Sequence, residues 1–130
     1  MKLIKEYCQG YTIKESSDVN KYLKEYVNED REFLIVIGLN NNNKVIYKEI
    51  VSIGTLSCSL ISPREIFKGA IINSAAKIIV AHNHPAGSIE PSPEDLTARD
   101  IIRQAGEIIN ITLLDFVIIG NKEYKSVQRR

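Results

Sequence analysis

The chain has 130 residues, 44% hydrophobic and 25% charged, a balance that excludes disorder and allows one sizeable core without disulfide or metal staples. Lys and Arg number 17 against 16 Asp and Glu, and the net charge of +1 excludes a domain-wide basic field for nucleic acid. Cys8 and Cys58 have no CxxC partner, charge interrupts Met1 to Glu6, and no apolar run approaches transmembrane length; reduced thiols, a cytoplasmic location and no membrane partner are expected.

Residues 1–15 carry a weak alternation, Tyr11 and Ile13 against Thr12 and Lys14, which reads as an edge strand. Ser16-Ser17-Asp18 offers N-caps for a helix whose buried stripe would be Val19, Tyr22, Leu23, Tyr26 and Val27. After Asn28-Glu29-Asp30-Arg31, the run Phe33 to Ile37 is apolar throughout, as in a central strand. Asn40 to Asn43 tolerates positive φ and joins it as a hairpin to Val45–Val51.

Thr55 to Ile61 alternates irregularly, as a short strand or loop. Ser62-Pro63-Arg64-Glu65 has the spacing of a capping box with Pro at N1, opening a helix through Ile66, Phe67, Ala70, Ile71 and Ser74. A strand at 77–82 follows, then a helix from Pro93 to about Glu107, with Leu96, Ile101, Ile102 and Ala105 inside and Gly106 as terminator. Ile111 to Ile119 is a further strand, turned by Gly120-Asn121 toward a short strand near Tyr124. Three helices and five or six strands in one domain, residues 1–130, predict an α/β layer architecture with a mixed sheet.

Both histidines of the chain leave the strand at 77–82 as His82-Asn83-His84. Side chains at i and i+2 of an extended chain point the same way, so two imidazoles can reach one ion. Pro85 and Gly87 turn the chain, and Ser92-Pro93-Glu94-Asp95 reads as a helix start that returns Asp95 to the strand end. A catalytic zinc has three protein ligands and an open position for water, whose pKa it lowers toward about 7. His82, His84 and Asp95 supply such a set, although a serine N-cap with an acid at N3 is also ordinary structural capping.

The spacing HxH-x7-S-x2-D formed by His82, His84, Ser92 and Asp95 resembles the motif of the JAB/MPN metalloproteases, also called JAMM. Gly54-Thr55-Leu56, Pro63-Arg64-Glu65-Ile66-Phe67, Asn73-Ser74-Ala75-Ala76, His82-Asn83-His84-Pro85 and Pro91-Ser92 look like its RadC branch, in a short stand-alone form, with the likeness running over about 16–126. The resemblance implies a cytidine-deaminase-like three-layer α/β/α fold with a central mixed sheet, zinc held by His82, His84 and Asp95, and Ser92 as oxyanion donor. It also implies an upstream glutamate as general base. Glu32, opening the first apolar strand, is where the family places it; Glu49 is second, facing solvent on the hairpin, and Glu65 already has a role in its capping box. The chain departs from the RadC pattern at Ala86, where Ser is common, and at Asp115-Phe116, where a His often follows the acid.

The resemblance makes a zinc metallohydrolase, a peptidase or isopeptidase acting on a protein or peptide, the leading expectation. Its alternatives are a DNA-repair-associated accessory protein linked indirectly to repair machinery, without catalysis of its own, and a non-catalytic MPN-type interaction module. A deaminase is excluded by the missing PCxxC ligand pair.

Overall fold

The protein was analysed as a computed structural model, which describes residues 4–6, 11–27, 31–53 and 62–127. Cys8, Cys58 and the segment 55–61 lie outside the described residues.

The elements in chain order are β1 (Ile4–Glu6), α1 (Ser16–Tyr22), a 3₁₀ turn at Lys24–Tyr26, β2 (Phe33–Leu39), β3 (Val45–Ile53), α2 (Pro63–Ile72), β4 (Lys77–Asn83), α3 (Pro93–Ile109), β5 (Thr112–Ile119) and β6 (Tyr124–Ser126). The strands form one sheet in the order β1-β3-β2-β4-β5-β6. Only β4 and β5 run parallel, joined by α3 as a crossover; the other neighbours are antiparallel, so the sheet is mixed as expected.

Strand alternation divides the core between two faces. Leu34, Val36, Tyr47, Val80, Phe116 and Ile118 pack under α2 and α3 with Phe67 and Ile102, while Ile35, Ile37, Ile79 and Val117 pack under α1 with Val19 and Leu23. β2 and β4, central in the sheet and covered on both faces, are apolar at nearly every position for that reason. The result is the α/β/α layering.

Several local expectations are corrected. Tyr11–Lys14 does not form a strand: Thr12 makes one isolated bridge to Lys44, and the edge strand is Ile4–Glu6 against β3. The cap of α1 is Glu15, whose N–H donates to Asp18 Oδ2 at 3.2 Å, rather than a serine. Ser62 is the N-cap of α2, but its side chain makes no capping hydrogen bond, so the expected box there is not formed. Ile71 is 62% exposed, and the buried side of α2 is Ile66, Phe67, Gly69 and Ala70. On α3, Leu96, Ile101 and Ala105 are only half-buried beside the fully buried Ala98 and Ile102. That helix runs past Gly106 and ends at Asn110, whose φ of 63° is the left-handed conformation that stops it.

Candidate metal centre

The register of β2 against β4 builds one end of the site. Leu34 pairs with His82, so two residues further back Glu32 comes opposite His84, and period-two alternation puts all three acidic and imidazole side chains on the α2/α3 face. This lies at the C-terminal end of β4, where ligands of α/β sheets usually bind. Gly87, at φ 92°, donates its N–H to the His84 carbonyl at 2.8 Å and closes the turn that sends the chain toward α3.

The first turn of α3 completes it. Ser92 Oγ accepts from the Asp95 N–H at 3.1 Å, and the Asp95 carboxylate accepts from the Ser92 N–H at 2.8 Å, a reciprocal capping box. The box fixes the Asp95 rotamer and delivers its carboxylate between the two imidazoles. His82 Nδ1 stands 2.7 Å from Asp95 Oδ1 and His84 Nε2 stands 2.9 Å from Asp95 Oδ2. The two rings are nearly perpendicular, their centroids 5.0 Å apart.

The electrostatics ask for a cation. His84 Nδ1 lies 2.9 Å from the Ser88 carbonyl, which can only accept, while Nε2 faces the Asp95 carboxylate; a neutral imidazole has one N–H and cannot serve both. The hydrogen bond to Asp95 accordingly raises the His84 pKa, against the opposing effect of burial. Burial of Asp95 would push its carboxyl up, but hydrogen bonds from His82, His84 and the Ser92 N–H outweigh it and hold the group well below the usual carboxylate range. His82 is 2% exposed and its Nε2 has no aligned hydrogen-bond partner. Glu32 Oε1 is 3.0 Å from that nitrogen, an ion-pair distance but out of line for a hydrogen bond.

His82, His84 and Asp95 each offer one ligand atom, all within 4.8 Å of one another, the one such grouping found among the described residues. Two imidazoles and a carboxylate, with an orphaned ring nitrogen and no thiolate, fit the donor set of an open zinc site. Glu32, His84 and Ser92 also line a common cleft of about 420 Å³, and a second cleft of about 540 Å³ shares His84 and Pro85 with it. A further cleft of about 360 Å³ between α2 and α3 is apolar and shares no residue with the histidine site.

The other two glutamates are elsewhere. Glu49 is buried, 3% exposed, and packs toward α2, where a methyl group on Gly69 would sit 2.7 Å from its Oε1; it does not face solvent as expected from its strand. Glu65 lies in the first turn of α2, 4.0 Å from Arg64 Nε. Asp115 is not at the metal end of β5: its carboxylate accepts from Ser16 Oγ at 2.7 Å and Ser126 Oγ at 2.6 Å. Sequence reasoning missed the Ser88 carbonyl and the part played by Asn83. An amide closing the mostly apolar strand Lys77–Asn83 was the available signal for the latter, since a buried amide must find partners.

Residues 13–130 match the family described as the RadC-like JAB domain. A UPF0758 protein of Chlorobaculum tepidum is 44% identical over 115 residues, covering 88% of this chain and 52% of the relative. One from Rubrobacter xylanophilus is 48% identical over 109 residues, covering 83% of this chain and 48% of the relative. One from Geobacillus sp. is 40% identical over 125 residues, covering 95% and 55%. The chain thus spans about half the length of these relatives, whose names state no activity. Among the described residues no helix is long and apolar enough to cross a membrane.

Proposed function

The chain belongs to the RadC-like JAB domain family, and on that premise we propose that it is a zinc-dependent metallohydrolase of the JAMM type, cleaving peptide or isopeptide bonds in a protein or peptide substrate. The observation that carries the proposal is the convergence of two imidazoles and one buried carboxylate, with the Glu32 carboxylate 3.0 Å from His82 Nε2 at the edge of a cleft. His82, His84 and Asp95 would hold the ion, and zinc bound there would supply Lewis acidity and a water of lowered pKa, toward about 7.

The chain's own groups divide the remaining work. Glu32, partly exposed in the cleft, takes the proton of the attacking water and passes it to the leaving amine. Ser92 accepts the Asp95 N–H through its Oγ and has its own O–H left to donate to the oxyanion that develops as water adds to the carbonyl. The two clefts that meet at His84 and Pro85 give an extended substrate room on both sides of the scissile bond.

Metal analysis and a proteolysis screen test this together. One zinc per chain is expected after purification without chelator, and His84→Ala should abolish it. Glu32→Gln should keep the zinc and lose roughly 10²- to 10⁴-fold in turnover, the usual worth of a general base. Zinc near zero in the unaltered chain would sink the metallohydrolase reading, whereas full turnover in Glu32→Gln would remove Glu32 alone.

A further inference from the structure

The site's own strand carries a polar residue that the reading above does not use. Asn83 stands between the two histidines, so its side chain points to the opposite face of the sheet from theirs. It is 0% exposed. The backbone ladder between β2 and β4 has its last pair at Leu34 and His82, and beyond it the Asn83 amide takes over the pairing. Asn83 Oδ1 accepts from the Phe33 N–H at 2.6 Å, and Asn83 Nδ2 donates to the Arg31 carbonyl at 2.9 Å.

Those two backbone groups flank Glu32 on either side. We propose that Asn83 is a positioning residue for Glu32: its amide clamps the peptide units on both sides of that residue and so fixes where the Glu32 carboxylate stands over His82. The inference rests on the reading of Glu32 as a group facing the metal. Two hydrogen bonds from one planar amide define both position and direction of the backbone at 31–33, which one bond would not. β3 holds the other edge of β2 as far as Phe33, opposite Ile53, but the β2/β4 ladder stops at Leu34, so on the side from which Glu32 Oε1 approaches His82 Nε2 at 3.0 Å the Asn83 amide is the link between the two strands. An apolar residue of similar size at 83 would fill the same buried space and leave both backbone groups unpaired.

The test uses the whole chain with Co²⁺ as a spectroscopic probe and amide exchange followed by NMR. In Asn83→Leu the cobalt content should remain one per chain, because no ligand is changed. The Phe33 amide should exchange roughly tenfold faster or more, the equivalent of one lost hydrogen bond, while Ile35 to Ile37 keep their protection. The visible spectrum of the cobalt protein should shift as it does in Glu32→Gln. Phe33 exchange within twofold of the unaltered chain overturns the proposal, and so does an unshifted spectrum in Asn83→Leu where Glu32→Gln is shifted.

If Glu32→Gln itself leaves the spectrum unmoved, the reading of Glu32 as facing the metal has failed, and Phe33 exchange still decides whether Asn83 holds that backbone. Where Asn83→Leu does not fold, Asn83→Ser carries the same comparison; its short hydroxyl cannot span both backbone groups. Both readouts should then move in the same direction by less, and unmoved readouts overturn the proposal.

Discussion

Asp95 is fully buried and yet holds its charge, because two imidazoles and a helix-terminal N–H surround it. That arrangement makes stability depend on pH in opposite senses with and without metal. In the metal-free chain the folded pKa of His84 lies above its ordinary 6.5, so its contribution is fully present below 6.5 and is lost as pH rises through the raised value. The folded pKa of Asp95 is depressed from an ordinary 3.8, so its contribution is present above 3.8 and is lost as pH falls through the folded value. Both are in place between about pH 4 and 6.5. Zinc needs unprotonated imidazoles, so its stabilisation grows with pH over the range where the metal-free chain loses His84's contribution. Melting curves from pH 5 to 8 should therefore slope downward in chelator and upward in zinc; parallel curves would show that His84 takes no part in binding.

At the scale of the element, α3 does two jobs, presenting Asp95 at its start and sealing the core at its end. Gly106 is buried there, and a methyl group on it would lie 2.3 Å from the Ile111 carbonyl oxygen, a backbone atom that cannot swing aside, and 3.2 Å from Phe67. The helix-propensity gain of Gly106→Ala, about 1 kcal/mol, is therefore expected to be outweighed by overpacking, with net destabilisation of about 1–3 kcal/mol in urea unfolding. Unchanged or increased stability would mean that α3 and the following strand can move apart. In the sequence Gly106 has the place of a terminator, since glycine often follows a helix end; its real constraint, the close return of Ile111, is a tertiary contact that no local pattern encodes. The same limit explains Ile71, whose helical spacing suits burial although nothing in the described structure covers it. His82, His84 and Asp95 were legible because strand alternation and capping are local rules. Placing Glu32 depended on the family resemblance, since the pairing of β2 with β4 joins strands separated in sequence by β3 and α2.

The whole molecule is held by apolar layers on both faces of the sheet, and the metal centre sits at the rim of that construction. Ile35, Ile37, Val80, Phe116 and Val117 are buried to 1% or less without touching the ligand set's hydrogen bonds, and they draw on α1, α2 and α3 alike. Burial of such side chains contributes about 1.5–3 kcal/mol each before the entropy of folding is set against it. Removing the ion should then leave a folded protein, in contrast to zinc fingers, whose small domains unfold when metal is withdrawn. Far- and near-ultraviolet circular dichroism should be unchanged in chelator, while the melting temperature falls by roughly 10 °C from its value in zinc at a hundredfold excess over Kd. The near-ultraviolet signal is the sharper readout, because Tyr47 and Phe116 are fully buried in the layer beneath α2 and α3. Loss of that signal on chelation, with retained far-ultraviolet signal, would mean that the packing of the helical layer depends on the ion. The site would then be structural as much as chemical, and the zinc dependence of any hydrolysis would have to be separated from the zinc dependence of the fold.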